Sequence, residues 1–396
     1  MLLILLGGLT VSGCLEPTPR PTWVPKILTM SQPMGEEEIF VLPDGGRISF
    51  EQLMEDLNST AIIFVGETHD RPEHHRIQVK MIQWLLKKGK DVVVAMEMFE
   101  RFQQSILDRW GQGLLAEEEF LKKVKWETTW GMDYDLYKGI LDEVRDHHLK
   151  LLGLNIERDL VRKVAHHGIN GLSHEDKMKL PEMDLTDQQH RHYIASMYKN
   201  HQDGSAKNFE YFYQAQCLWD EAMAETLSQF LQSPEETGKV VLIVVGSGHV
   251  AFDYGIPKRF YRRAPILYKT IVLKEWEKEM SQDLYFTGTS SPLANFLWIT
   301  KPTPPEKKRP RMGVVLMEKE DSKGLWIERV IPESPAEKAG LLPGDQVIAV
   351  EGEDITKVKD IHDALSRKGW EKEITFTILR EGLKKEMTVT LPLPPD

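Results

Sequence analysis

Runs of consecutive apolar residues, each followed by a polar segment, recur along the first part of the chain. The clearest run is 61–65, five apolar residues of which three are β-branched, and it is followed by Glu67 and His69. A run of this kind predicts a buried strand. Apolar residues then recur at helical spacing from Ile77 to Leu85. The pattern therefore predicts a strand, a polar loop and a helix.

The same pattern predicts four more strands, which helical segments separate. These predicted strands lie at 91–96, 149–154, 240–245 and 266–273. Parallel strands joined through helices make right-handed crossovers, so we expect an α/β fold with a mostly parallel, doubly wound sheet. A long helical excursion over 159–239 interrupts the alternation.

Polar side chains stand at the predicted carboxyl ends of four of these strands. Glu67 and His69 follow one strand, and Glu97, Asn155 and His249 follow three others. Because the carboxyl ends of parallel strands share one edge of a sheet, we expect these side chains to converge there. One histidine could act as a general base on water while the other steadies an oxyanion, with Glu67 or Glu97 orienting an imidazole.

Composition and charge narrow the class of protein. The chain has 396 residues, enough for two domains, and a net charge of −11. That acidic balance, with no basic patch to supply phosphate contacts, argues against nucleic acid as a partner. Two cysteines, Cys14 and Cys217, give no disulfide framework.

The amino terminus predicts a membrane anchor rather than part of the fold. Residues 1–11 are almost wholly apolar, and small residues lead to Cys14, as in a secretory signal with a bacterial lipobox. We expect residues 1–14 to be a lipoprotein signal peptide and lipobox, with Cys14 acylated, by palmitate for example. The Pro-rich segment 15–38 would be an extended tether. A core segment with a chance cysteine is the alternative.

The carboxyl-terminal part of the chain predicts a second, smaller domain. Residues 281–310 include a Pro- and Lys-rich stretch typical of a linker, and 311–396 contain short β runs with turn signals. The run 334–350, Ser-Pro-Ala-Glu-Lys-Ala-Gly-Leu-Leu-Pro-Gly-Asp-Gln-Val-Ile-Ala-Val, resembles the HtrA-type PDZ domain. The resemblance implies that an extended or C-terminal peptide adds a strand. The residues that would contact it are Met312, Gly313, Val314, Val315, Ile361 and Leu365.

Five motifs recur across the first domain, residues 39–280, at 66–70, 96–101, 130–137, 215–224 and 246–249. Together they resemble the ChaN family, which comprises haem-binding, iron-regulated bacterial lipoproteins. The resemblance implies a haem site, a role in iron or haem uptake or storage, and a place in the cell envelope. A flat macrocycle is often shared between protomers, so a homodimer is one arrangement that would hold the haem. Tyr193, His192 and Tyr198, on the helical excursion, are the candidate haem ligands, since Tyr and His are among the usual protein ligands of haem iron.

A hydrolase is the alternative function. Gly66-Glu-Thr-His69 also matches the Gly-x-x-His signature of the wider Tiki and erythromycin-esterase superfamily. In those relatives the equivalents of Glu67, His69 and His249 are associated with metal-dependent proteolysis or with ester hydrolysis. A divalent metal held by these three residues is thus the alternative cofactor, with the PDZ domain as a substrate adaptor. A scaffold whose first domain is inert is a third possibility. We expect haem binding.

Overall fold

The computed structural model describes residues 37–200, 208–276, 291–302, 310–317 and 324–393, without the side chains of 199 and 200. The chain divides into two compact units, Met1–Thr303 and Pro304–Asp396. The predictions for Cys14, for the signal peptide and for nearly all of the tether lie outside the described residues. None of the helices in the described ranges combines the length and the hydropathy needed to cross a bilayer.

The first unit is built on an eight-stranded sheet with the strand order β2-β1-β8-β7-β3-β6-β4-β5. Six neighbouring strands, from β8 to β5, run parallel, and the β1–β2 hairpin joins β8 in the antiparallel sense. The predicted α/β class and mostly parallel sheet are confirmed. The strands are β1 (Glu37–Val41), β2 (Gly46–Ile48), β3 (Ile62–Glu67), β4 (Val92–Glu100), β5 (Lys150–Asn155), β6 (Val240–Gly246), β7 (Tyr268–Glu275) and β8 (Phe296–Thr300).

The central strands are apolar throughout because helices cover both faces of the sheet. On β3, Ile63 and Val65 enter one buried cluster while Ile62 and Phe64 enter another. Alternate side chains of a strand point to opposite faces, so the two clusters are the two sides of a doubly wound sheet. The helices are Phe50–Leu57, Pro72–Lys87, Gln104–Gly111, Glu117–Val124, Trp126–Thr129, Tyr134–Asp146, Arg158–His167, His174–Lys177, Gln188–Asn200, Phe209–Leu231 and Ile256–Arg263.

The linker predicted over 281–310 is wrong for part of its length. Phe296–Thr300 forms β8, a fully buried strand of the first unit that lies between β1 and β7. Its sequence, Phe-Leu-Trp-Ile-Thr, is apolar enough to sit inside the sheet, and Trp298 is fully buried. The residues that follow are rich in Pro and Lys, and for that reason the sequence analysis assigned this strand to the linker.

The second unit is an antiparallel sheet with the order β14-β13-β11-β10-β9, in which β12 pairs with β11. Its strands are β9 (Val314–Met317), β10 (Leu325–Val330), β11 (Gln346–Val350), β12 (Glu353–Asp354), β13 (Glu373–Arg380) and β14 (Leu383–Thr390). Two helices, Pro335–Lys338 and Val358–Lys368, complete it. The predicted small β-rich domain is confirmed.

Candidate functional site

The polar residues predicted to share one edge of the sheet do so. Glu67 is the last residue of β3, and its register partner on the parallel strand β6 is Gly246. Glu97 lies within β4, which extends to Glu100 and so runs further than the predicted strand. His249 lies in the short 3-10 turn that follows β6. The three strands are neighbours in the order β3-β6-β4. The strand ends that carry Glu67, His249 and Glu97 are therefore adjacent.

His69 links two of these carboxylates through its two ring nitrogens. Its Nδ1 lies 2.9 Å from Oε1 of Glu67, and its Nε2 lies 3.2 Å from Oε1 of Glu97. Burial lowers the pKa of His69, but the hydrogen bond to Glu67 and the charge of Glu97 raise the pKa further than burial lowers it, so the net shift is upward. The side chain keeps 35% exposure. His69 is therefore held in place while one side of its ring remains open.

Glu67 is fixed by two buried donors besides His69. Gln78 Nε2 donates to its Oε2 at 2.7 Å, and the Tyr137 hydroxyl donates to its Oε1 at 2.8 Å. Both donors are buried and come from the helices that cover one face of the sheet. The sequence analysis identified neither Gln78 nor Tyr137 as a partner of Glu67. Glu67 thus orients His69, and both oxygens of its carboxylate accept hydrogen bonds.

His249 is paired with a carboxylate that the sequence reasoning did not single out. Its Nδ1 donates to Oδ1 of Asp220 at 2.6 Å, and Asp220 is buried on the Phe209–Leu231 helix. Burial lowers the pKa of His249, but the charge of Asp220 and its hydrogen bond outweigh burial and raise that pKa to about 9. Desolvation favours a high pKa for Asp220, whereas His249 and Arg259 bring about a net lowering. The two groups form a buried ion pair.

Asp220 also connects the site to the interior. His190 Nε2 lies 3.4 Å from its Oδ2, and Arg259 donates from its terminal nitrogen to His190 Nδ1 at 3.1 Å. Arg259 also donates to the sulfur of Cys217 at 3.4 Å. Cys217 is buried, and burial raises the pKa of its thiol to about 12, so it is unsuited to nucleophilic chemistry. The sequence signal that could have revealed this network is the pair of adjacent acids, Asp220 and Glu221, in a largely apolar helix, because buried carboxylates require partners.

Two tryptophans flank the histidines. Trp130 meets His69 edge to face, with ring centroids 4.9 Å apart, and Trp219 meets His249 edge to face at 6.3 Å. Both indoles are half-buried. Asn155 links two strands: its side-chain amide, at the end of β5, donates to the backbone carbonyl of Glu97 in β4 at 3.0 Å. At this edge of the sheet, each of the two imidazoles therefore has an indole ring against it.

The three candidate haem ligands share one helix but not one set of neighbours. Tyr193 packs against Phe252 at 5.5 Å between ring centroids, and Tyr198 packs against Phe209 at 5.4 Å. His192 is exposed. The donor types fit haem iron, but the structure does not gather these three side chains around one point. Among the described residues, no group of three or more His, Cys, Asp or Glu side chains is arranged to hold a metal ion.

The residues predicted to bind a peptide lie where a strand could be added to the second unit. Val314 and Val315 belong to β9, which is an edge strand of its sheet. Ile361 and Leu365 are buried on the Val358–Lys368 helix. Met312 and Gly313 immediately precede β9, and Met312 is buried. Among the described residues, no further strand pairs with the outer edge of β9, and such an edge strand is the geometry that peptide addition requires.

Two comparisons establish what kind of chain this is. Residues 53–260 match the family described as "Haem-binding uptake, Tiki superfamily, ChaN", which covers more than half of the chain. The chain belongs to this family. Residues 310–391 match the PDZ domain, so this ChaN-family chain carries a PDZ domain as its second unit.

A solved structure supports the fold of the ChaN-like unit. It is described as cofacial haem binding to ChaN of Campylobacter jejuni, and it matches with a TM-score of 0.52 and 20% identity. The match covers 67% of this chain and 97% of that chain. At this level of identity, the likeness shows a shared fold.

The curated relatives match shorter parts of the chain or resemble it weakly. A probable periplasmic serine protease do/HhoA-like of Haemophilus influenzae is 37% identical over 68 residues, 17% of this chain and 15% of that protein. Protein RETICULATA-RELATED 5 of Arabidopsis thaliana, a chloroplastic protein, is 23% identical over 278 residues, 64% of this chain and 36% of that protein. The chain thus spans about a seventh to a third of the length of these two relatives.

Proposed function

We propose that this protein binds haem in the cleft at the carboxyl ends of β3, β6 and β4, for haem or iron uptake or storage. The observation that carries the proposal is that each histidine has an indole against it, Trp130 against His69 and Trp219 against His249. Aromatic rings beside imidazoles suit a flat, amphiphilic macrocycle. Membership of a haem-binding family supports the same conclusion.

The iron ligand is proposed to come from His192, Tyr193 or Tyr198. The Gln188–Asn200 helix that carries them is tied to the cleft, because His190 on the same helix faces Asp220. Haem iron would be the cargo of the site, and these side chains would hold it. A second copy of the chain sharing the macrocycle remains part of the proposal.

A haemin titration tests this function. Protein lacking residues 1–14 should give a saturable shift of the Soret band. Tyr193→Phe combined with His192→Ala, and separately Tyr198→Phe, should identify the ligand by loss of affinity and a changed spectrum. Tyr261→Phe is the control, since Tyr261 is an exposed tyrosine on the Ile256–Arg263 helix. Absence of any saturable Soret change would refute haem binding.

We further propose that the PDZ domain binds an extended or C-terminal peptide at the open edge of β9. Peptides that end in an apolar residue should bind the full-length chain, and Leu365→Ala should weaken binding because it removes part of the groove wall. Comparing free with amidated C-termini shows whether the carboxylate contributes. Equal binding by wild type and Leu365→Ala would place the peptide elsewhere.

Membrane anchoring through acylated Cys14 completes the proposed role in the cell envelope. An acyl chain at Cys14 followed by the Pro-rich segment 15–38 would hold the folded units off a membrane. Palmitate labelling and membrane fractionation of wild type and Cys14→Ser test the proposal. Equal labelling of both proteins would exclude lipidation at this residue.

Hydrolysis is the second candidate, and one observation favours it. His69 and His249 each have Nδ1 held by a buried carboxylate and Nε2 turned toward Glu97. Two imidazoles aligned in this way could serve proton transfer and oxyanion stabilisation, which storage of haem does not require. Esterase or peptidase turnover that is lost in His249→Ala but kept in Tyr261→Phe would support it.

A further inference from the structure

The sheet of the first unit ends at β5, a strand with an apolar sequence. Among the described residues, β5 pairs with β4 on one side and with no strand on the other, in a register that sets Ala95 opposite Leu152. Residues 151–154 are all buried. An apolar edge strand with unpaired backbone groups is a template for pairing with another chain, so this edge needs a cover.

The Gln104–Gly111 helix runs close beside β5. A Cβ on Gly111 would lie 2.3 Å from the carbonyl oxygen of Leu149, just before the strand begins. Further along, a Cβ on Gly153 would lie 2.9 Å from Cδ1 of Leu107. The backbone groups inside a helix bond to one another, so the helix backbone by itself cannot continue the β ladder.

The side chain of Gln104 makes the hydrogen bonds that a further strand would make. Its Nε2 donates to the carbonyl oxygen of Leu151 at 2.7 Å, and its Oε1 accepts from the backbone N–H of Gly153 at 3.2 Å. These two backbone groups flank Leu152, and in a parallel ladder one residue of the neighbouring strand bonds to both of them. The carboxamide therefore reproduces the pairing of one residue of a ninth strand.

Two charged residues fix the orientation of this carboxamide. Oδ1 of Asp108, one turn along the same helix, accepts from Nε2 of Gln104 at 2.8 Å. The same oxygen accepts from Nζ of Lys150, at the start of β5, at 2.7 Å. Both hydrogens on Nε2 thus have acceptors and Oε1 has a donor, so the amide is held in the one orientation that matches the strand.

We propose that Gln104 closes the β5 edge against strand addition, and that without it this edge pairs with β5 of a second copy of the chain. Two identical apolar edges are self-complementary about a twofold axis, which makes a second copy the fitting partner. Other edges are guarded by different means: β2 has three residues, and β14 exposes Lys384, Lys385 and Glu386. Neither haem binding nor peptide binding is needed for this role.

Residue-resolved hydrogen exchange of the full chain without haem tests the bond to Gly153. In wild type, the Gly153 amide should exchange as slowly as amides of the central strands. Gln104→Ala removes the acceptor and should speed exchange at Gly153 about tenfold. Gln112→Ala is the matched control, since Gln112 is an exposed glutamine that directly follows the same helix.

Self-association tests whether the edge is closed. Sedimentation velocity of the full chain without haem should show dimers or larger species of Gln104→Ala beyond any that wild type forms at the same concentration. Gln104→Lys also removes the acceptor for Gly153, but it should not associate, because a charged side chain at a sheet edge opposes pairing. Circular dichroism shows which variants fold. Gln104→Met, which keeps the side-chain length without either bond, replaces Gln104→Ala if the latter does not fold.

The possible results decide the two parts of the proposal separately. Fast exchange of the Gly153 amide in wild type would overturn the protecting hydrogen bond without reference to any variant. Faster exchange in Gln104→Ala, together with sedimentation like that of wild type, would overturn the closing of the edge and leave Gln104 a stabilising contact. Equal association of Gln104→Ala and Gln104→Lys would also overturn it, because association would then not depend on an uncharged edge.

Discussion

Gly246 lies directly beneath the imidazole of His69. A Cβ at position 246 would come within 3.0 Å of both Cε1 and Nε2 of that ring, and within 3.6 Å of Oε1 of Glu97. The backbone there has φ −61° and ψ 141°, which any residue adopts. The glycine is therefore required for space and not for backbone freedom, and it sets how closely His69 approaches the end of β6.

Gly246→Ala should displace His69 from Glu97 and weaken haem binding. The crowding should also cost about 1–3 kcal/mol of stability, as for other overpacked sites. Gly248→Ala is the control, since a Cβ there meets nothing within 4 Å. Haemin titration and thermal unfolding of both variants measure the difference. Equal behaviour of the two variants would show that the ring of His69 can move without consequence.

The Asp220–His249 pair should make the first domain more stable at neutral than at alkaline pH. The pKa of His249 is raised from 6.5 to about 9, because Asp220 and Glu97 outweigh burial. A raised folded-state pKa gives stability that is complete below about 6.5 and is lost as pH rises through about 9. The loss is at most about 3 kcal/mol. Hydrogen exchange of the β6 amides from pH 6 to 10 measures it, and Asp220→Asn should show a smaller decline.

Glu221 should be among the residues on which the stability of the first domain depends most. Its buried carboxylate lies 3.2 Å from Arg259, 2.9 Å from Arg262 and 2.5 Å from Arg263. Glu221→Leu would leave the buried Arg259 without this partner, at a cost of about 3–5 kcal/mol. Glu225→Leu removes only a half-exposed pair with Arg101 and should cost less than about 1 kcal/mol. Urea denaturation followed by circular dichroism compares them; similar losses would contradict this ranking.

Gly313 should be essential for peptide binding by the PDZ domain. It has φ +84°, and a Cβ there would lie 2.3 Å from Cβ of Ser334. Gly313→Ala should therefore displace the loop before β9 and abolish peptide binding. Gly344→Ala separates the two effects: φ is +90°, but a Cβ meets nothing within 4 Å, so only backbone strain of about 1 kcal/mol is expected. Peptide affinity retained in Gly313→Ala would place the ligand away from this loop.

The sheet and the residues at its edge were predictable because both follow from local pattern and one topological rule. Apolar runs such as 61–65 mark strands, and parallel strands bring Glu67, His69 and His249 to one edge. Asp220, His190 and Arg259 were not predictable as partners, because they come from three different helices. How those helices pack depends on tertiary contacts that no local pattern records. The position of β8 between β1 and β7 was not predictable for the same reason.

The place of β8 has a mechanical consequence. Glu37, at the start of β1, is the register partner of Thr300, at the end of β8, so these two strand ends lie side by side. A pull applied between the segments before Glu37 and after Thr300 would open the β1–β8 ladder one residue pair at a time, as a zipper opens. The β1–β8 ladder would therefore break first. The central strands β3, β6 and β4, which position the histidines, would bear the force only after that ladder had separated.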